Sequence, residues 1–298
     1  MDISSYLRLV PQPVALVTGA NKGIGFEIAR ELAQGGCFVW LAGRELERVK
    51  GAAAKLESAG LKVGSVTLDV TDPESARAAS RQVEAASGRL DILVNNAGIS
   101  LEAQHEPGQP PRMIPPSELD LGLLRQTYET NVFGPVTVTQ AFLPLVRKSA
   151  AGRIVNMSSG LGSLAQKADP STFLSKVNVM AYCSSKNALN GVTVAFANEL
   201  RETAIKVNAA DPGYCATDLN GHSGPRSATE GAAIAVKLAT LPATARPAVS
   251  STTKAPCPGR FRRRQCPHEP EAGLEFTSRT TPSARGSYSL GLRVLSLS

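Results

Sequence analysis

Short, nearly uninterrupted apolar runs alternate with longer amphipathic stretches along the first 242 residues. Val14–Thr18, Phe38–Ala42, Val63–Val70, Asp91–Val94, Arg153–Met157 and Ile205–Ala209 read as strands buried on both faces. Between them, Ile24–Ala33, Glu45–Ser58, Glu118–Arg147, Ala181–Arg201 and Thr229–Thr240 carry helical spacing, and Asp72-Pro73 opens a further helix. A Pro-rich loop is expected from about Leu101 to Pro116. Strands that alternate with helices require right-handed crossovers, which predicts an α/β fold: a doubly wound parallel sheet in three layers. After Leu241-Pro242 the alternation stops. A two-residue alternation over Tyr288–Leu297 is too faint to predict a strand.

Charge changes this picture only when it is divided. The 298 residues carry a formal net charge of +7. Residues 1–242 hold 23 Lys/Arg against 22 Asp/Glu, and residues 243–298 hold 9 against 3. The expected organisation is therefore a near-neutral domain over 1–242 and a basic, Pro/Ser/Arg-rich, disordered tail over 243–298. The near-neutral body is not expected to face a polyanion, and the tail's Arg run holds a single aromatic, Phe261, without a repeated aromatic–basic interleaving. No apolar run reaches the roughly 20 residues of a membrane helix, and Met1–Gln12 lacks the pattern of a secretory signal. Five scattered cysteines fit reduced thiols and a cytoplasmic location. Cys257 and Cys266, beside His268, have no second ligand pair, so no metal is expected.

The turn after the first strand is Thr18-Gly19-Ala20-Asn21-Lys22-Gly23-Ile24-Gly25. Gly19 suits a tight turn, Gly23 lets backbone approach a pyrophosphate, and Gly25 permits close helix–strand packing at the positive end of the helix. Strand, turn and helix in that order point to a dinucleotide site. A site for NAD usually places an acid at the end of the second strand. This chain has Gly43-Arg44 there, and Arg44 with Lys22 suits a 2′-phosphate, which predicts NADPH. Asp69 and Val70 are placed to meet the adenine, or Asp69 caps the turn that follows.

Tyr182 and Lys186 are four apart on one helix and share a face. An ammonium beside a phenol favours the phenolate, which would bring a poor acid–base group closer to neutral pH. Ser159 follows the fifth strand, where its hydroxyl could bond a carbonyl. Asn131 lies within the long helix, where its side chain could anchor a proton-relay water.

Thr18–Gly25, Asn95–Gly98, Asn131, Ser159, Tyr182–Lys186 and Pro212-Gly213 together resemble the short-chain dehydrogenase/reductase family over about residues 13–242. The glycine loop, Arg44 and Pro212–Leu219 are most similar to its NADPH-dependent carbonyl reductases of the menthone and salutaridine reductase type. The resemblance implies a Rossmann-like fold and reduction of a ketone, aldehyde or quinone by hydride transfer from NADPH. It implies that Tyr182 donates the proton, Lys186 holds the ribose, Ser159 orients the carbonyl and Asn131 supports the relay. Asn95 would bridge strands, Ala97 and Gly98 would line the cofactor, and Pro212, Gly213 and Thr217 would contact its nicotinamide end. Ser100–Pro116, Gln166–Met180 and Leu219–Ser227 would wall the substrate pocket, with Phe173, Leu174, Met180 and Tyr214 as candidates. The intermediate length of the segment before Tyr182 leans toward a monomer.

The resemblance fails after Pro242. The family pattern there has a glycine-rich turn, a last strand with Phe residues and often a Trp, and this chain has none of them. The expectation is a missing last strand. Read one base earlier, the codons of Thr244–Ser251 permit Asp-Gly-Pro-Thr-Gly-Gly-Phe-Phe, and those around Cys257–Gly259 permit Leu-Pro-Trp. A reading-frame shift near Ala243 is therefore expected. The other functional reading is a nucleotide-binding, catalytically impaired protein with a basic interaction tail.

Overall fold

The computed structural model describes Tyr6, Val10 and residues 12–104, 112–242 and 251–252, with the backbone alone described at 103, 104, 112, 251 and 252. The elements follow in the order β1 (Val14–Thr18), α1 (Gly23–Gln34), β2 (Phe38–Gly43), α2 (Leu46–Ser58), β3 (Val63–Thr67), α3 (Pro73–Ser87) and β4 (Ile92–Asn95). A small hairpin, β5 (Ala103–Gln104) and β6 (Arg112–Met113), precedes α4 (Leu121–Tyr128) and α5 (Gly134–Val146). Then come β7 (Arg153–Met157), α6 (Leu164–Ala168), α7 (Met180–Glu199), β8 (Lys206–Asp211), α8 (Ala228–Ala239) and β9 (Ser251–Thr252).

The main sheet has the order β3-β2-β1-β4-β7-β8-β9, and every pairing in it is parallel. Alternate residues of each strand feed opposite sides. Ala15 and Val17 of β1 join Ile28, Leu32, Val49, Ile234 and Leu238 from α1, α2 and α8. Val14 and Leu16 join Ala79, Val83, Val138, Phe142 and Leu145 from α3 and α5 on the other side. Both faces are thus covered, which is why the strands read as apolar runs. The result is the Rossmann-like, three-layer α/β architecture.

Three details differ from the expectation. The third strand ends at Thr67, because Asp69 starts a turn: its carboxylate accepts from Thr71 N (2.9 Å) and the Thr71 hydroxyl (2.7 Å). The long helix is two helices joined by a π turn at Glu129–Phe133, where Gly134 N–H bonds the Glu129 carbonyl five residues back. Pro135 has no N–H to give Asn131, so the regular ladder cannot pass this point. Finally, the last strand is not wholly missing. Ser251–Thr252 pairs parallel with Ala210 and Asp211 at the outer edge of β8.

The described residues all fall within Met1–Ala255; residues 256–298 and the remainder of the expected tail lie outside them. The sheet's far end is fastened by a buried cation. The Arg153 guanidinium donates to the Leu241 carbonyl (3.0 and 2.6 Å) and to Gly152 O (2.7 Å), with the Tyr6 ring 5.3 Å away.

Strands β1 and β4 meet above the sheet through Thr18 and Asn96. Thr18 Oγ1 accepts from Asn96 N (2.9 Å) and Ala97 N (3.0 Å), while Asn96 Nδ2 donates to Thr18 O (2.9 Å) and Gly19 O (3.3 Å). A Cβ on Gly25 would lie 2.4 Å from both Asn96 Nδ2 and Gly19 O, so helix α1 can approach only because residue 25 has none. Gly25→Ala is expected to destabilise by about 1–3 kcal/mol through overpacking. Gly51→Ala in α2, with nothing within 4 Å of the new methyl, should be neutral or stabilising by up to about 1 kcal/mol. Urea titration of the two variants checks this, and equal midpoints would refute it.

The β8 edge yields a second test. A chain carrying the alternative frame after Ala243 should melt several degrees higher, at roughly 2–4 °C per kcal/mol of restored stability. Equal melting temperatures, or nucleotides that allow no such frame, would sink the frame-shift reading.

Candidate active site

The ends of β1, β4, β7 and β8 open onto one side of the sheet, where ligands of doubly wound folds bind. Gly19 and Gly23 have φ of +63° and +58°, the left-handed region that favours glycine. In front of Gly23 a Cβ would meet only Thr217 Cγ2, at 3.8 Å, so backbone is exposed at the start of α1. Ile24 turns its side chain into the α1–α8 interface, 3.3 Å from where a Gly231 Cβ would lie. Asn21 Oδ1 stands 3.9 Å from the corresponding point at Gly43. Arg44 is exposed and makes no ion pair among the described residues. Lys22, the other expected phosphate ligand, pairs with Asp218 instead. Both partners are more than half exposed, so this contact costs little to exchange. Asp69 is used in its own turn, and Val70 is buried 2.9 Å from the Cβ position of Gly134.

From β4, Asn95 is buried and bridges to β7: its Nδ2 donates to Asn156 Oδ1 (2.8 Å) and Thr139 Oγ1 (3.1 Å). Ala97 lies against Gly19. A Cβ at Gly98 would be 3.3 Å from Asn131 Oδ1 and 3.5 Å from Lys186 Nζ, so a narrow hollow remains between those two side chains.

Asn131 is buried, and both N–H groups of its amide are engaged. Oδ1 accepts from Ile99 N (2.9 Å), and Nδ2 donates to Ile99 O (2.9 Å) and Ser185 Oγ (3.1 Å). Through these bonds the side chain clamps the loop at Ile99 to the helix that carries Ser185.

Tyr182, Ser159 and Lys186 do come together. A hydrogen bond with Ser159 favours ionisation of Tyr182, but burial outweighs it and pushes the phenol up to about 12. Asp211, buried at the end of β8, adds to that rise. Lys186 Nζ donates to the Met157 carbonyl (2.7 Å) and lies 5.5 Å from the Tyr182 ring centroid. Burial pushes its ammonium down to about 8. The expected depression of the tyrosine by the lysine is therefore reversed, because desolvation of both groups is the larger effect. The arrangement holds a neutral phenol beside a serine hydroxyl, which suits delivery of a proton to an oxygen.

From β8, Asp211 Oδ1 accepts from Gly213 N (2.9 Å), and Gly213 adopts φ +74°. Pro212 O accepts from the Cys215 thiol, and Thr217 starts the short turn Asp218–Asn220 facing Gly23. Asp211 and Ser185 were not singled out in the sequence; an acid two residues before a left-handed glycine was the available signal for the first. Around the site, Phe173 and Tyr214 are 74% and 52% exposed, and Leu174 Cδ1 is 3.4 Å from the Cβ position of Gly160. Among the described residues there is no group of three His, Cys, Asp or Glu able to hold a metal, and no helix is long and apolar enough to cross a membrane. Cys257, Cys266 and His268 lie outside them.

A family model described as short chain dehydrogenase matches residues 13–228. The chain is 38% identical to the Short-chain dehydrogenase anuI of Penicillium roqueforti, over 78% of this chain and 91% of that protein. It is 34% identical to (-)-isopiperitenone reductase of Mentha piperita, over 78% and 93%. The solved structure of NADPH bound carbonyl reductase from chicken fatty liver superimposes with a TM-score of 0.66 at 28% identity, covering 78% of this chain and 92% of that one. The matched span runs from the start of β1 into α8, so every strand end that bounds the site falls within it: the chain belongs to the short chain dehydrogenase family.

Proposed function

We propose that this chain is an NADPH-dependent carbonyl reductase acting on a small ketone, aldehyde or quinone. The observation that carries this reading is the Tyr182 phenol, kept neutral by burial, with Ser159 acting on it and Lys186 Nζ, which borders the hollow at Gly98, 5.5 Å from its ring. The residues fit a nicotinamide dinucleotide. Gly23 opens the helix start, Gly98 leaves room between Asn131 and Lys186, and Thr217 faces the glycine turn. Gly19, Asn21, Lys22, Gly23 and Gly25 would hold the pyrophosphate side. Arg44 would take the 2′-phosphate, with Lys22 released from Asp218, and Asp69 and Val70 would border the adenine. Asn95 supports the floor, while Ala97, Gly98, Pro212, Gly213 and Thr217 would line the nicotinamide end. NADPH supplies the hydride; the protein supplies position and a proton.

Ser159 and Tyr182 would both meet the carbonyl oxygen, which fixes which face of the carbonyl is presented. Tyr182 then gives its proton as negative charge develops on that oxygen. Lys186, held by the Met157 carbonyl, places a cation beside the phenol as it loses that proton. The likeness to a reductase of Mentha piperita and to an NADPH bound carbonyl reductase supports this chemistry and cofactor. The intact set of Ser159, Tyr182 and Lys186 disfavours a catalytically impaired protein. The near-neutral body accords with a soluble cytoplasmic enzyme with a small-molecule partner, and we keep a monomer as the oligomeric state.

Tyr182→Phe should lower kcat by about 10²–10⁴-fold while NADPH still binds. With the natural chain, the rate of carbonyl reduction should hold below pH 8 and fall above it. Lys186 loses its charge there, while Tyr182 keeps its proton to about 12. A profile flat to pH 10 would refute the role of the lysine. Arg44→Ala should raise the KM for NADPH about 10- to 100-fold and leave that for NADH unchanged; equal effects on both would remove Arg44 from cofactor selection.

A further inference from the structure

Glu102 is a carboxylate with no exposed surface, and among the described residues no cation pairs with it. Its two oxygens accept from the first turn of α7: Oε1 from Ala181 N and Oε2 from Tyr182 N, both at 2.8 Å. Helix α7 begins at Val179, which has no side chain able to cap it. Glu102, nearly eighty residues away in sequence, therefore satisfies N–H groups that the helix leaves without partners.

The other side of the Tyr182 peptide is held as well. The Tyr182 carbonyl accepts from Ser185 Oγ (2.8 Å), which accepts from Asn131 Nδ2 (3.1 Å). Asn131 in turn clamps both the N–H and the carbonyl of Ile99, three residues before Glu102. A closed ring of hydrogen bonds thus runs through residues 99–102, Tyr182, Ser185 and Asn131. The segment 99–102 leads directly into hairpin β5–β6, and the Glu102 carbonyl accepts from Ile114 N (3.4 Å) just beyond it.

We infer that Glu102 is a positioning residue for carbonyl reduction: it fixes the first turn of α7, and with it the Tyr182 hydroxyl, to the segment 99–102 that leads into β5. The inference rests on the role given to Tyr182 above. A local cap near Val179 would satisfy the same N–H groups without tying the helix to another part of the chain. Here the acceptor comes from the distant segment that leads into β5, so displacement of that segment is transmitted to the turn that carries Tyr182.

The test compares the full natural chain with Glu102→Gln, which keeps the volume but loses one acceptor, and Glu102→Asp, which keeps the charge but is one methylene short. Hydrogen exchange by mass spectrometry should show the first turn of α7 exchanging at least tenfold faster in Glu102→Gln, with α8 unchanged. At saturating NADPH, kcat should fall about tenfold while the KM for NADPH stays within twofold, and the solvent deuterium isotope effect on kcat should rise as proton delivery slows. Glu102→Asp should fall between, and serves alone if the glutamine variant does not fold. Unchanged exchange in that turn, or a lower melting temperature with kcat and isotope effect as in the natural chain, would overturn the proposal. Equal turnover by the natural chain and Tyr182→Phe would instead overturn the proton-donor reading. The exchange data would still decide whether Glu102 holds the helix.

Discussion

The junction between Thr18 and Asn96 is the constraint on which the rest of the site depends. One hydroxyl and one amide join the ends of β1 and β4 through four hydrogen bonds. That contact forces the chain after β1 into the left-handed turn at Gly19, and it leaves no room for a side chain at Gly25. It also sets where residues 97–99 go. Gly98 then lies under Asn131 and Lys186, and Ile99 meets the amide of Asn131. The nucleotide side and the acid–base side of the site are thus built from one connection between two strands.

Burial decides the electrostatics of that site more than proximity does. Lys186 lies near the Tyr182 ring, and an exposed pair of this kind would draw the phenol toward ionisation. In the observed setting each group loses more from desolvation, so the phenol is raised and the ammonium is lowered. The consequence is directional. A phenol that keeps its proton at neutral pH is prepared to give one away, which is what reduction of a carbonyl demands. The opposite reaction would first need that proton removed.

The strands, their order and the helix pair Tyr182–Lys186 were legible because each depends on local pattern: apolar runs, glycines at a turn, a spacing of four. Gly19 and Gly25 were legible for the same reason. Asn131 was legible as a residue but not in its action, because a π turn caused by Pro135 and the loop at Ile99 decide where its amide points. Lys22 is legible as a cation suited to a phosphate, but its pairing with Asp218, nearly two hundred residues later, is not. Glu102 left no sequence signal at all. Its partners are backbone N–H groups on a distant helix, and any acid in a loop looks the same until the fold brings the two together.

The same reasoning explains why the chain's departure at Pro242 need not erase the site. Every group in the ring around Tyr182, and every residue of the glycine turn, precedes Leu241, and Leu241 itself is held by the Arg153 guanidinium. The elements that carry chemistry are therefore fixed before the sequence pattern breaks. What lies beyond bears on β8, whose outer edge meets Ser251 and Thr252 among the described residues. Asp211 sits at that edge and holds Gly213, the entry to the segment that carries Thr217 back to the glycine turn. Weakening there acts on the cofactor side of the site and on stability, while the acid–base geometry rests on contacts made elsewhere.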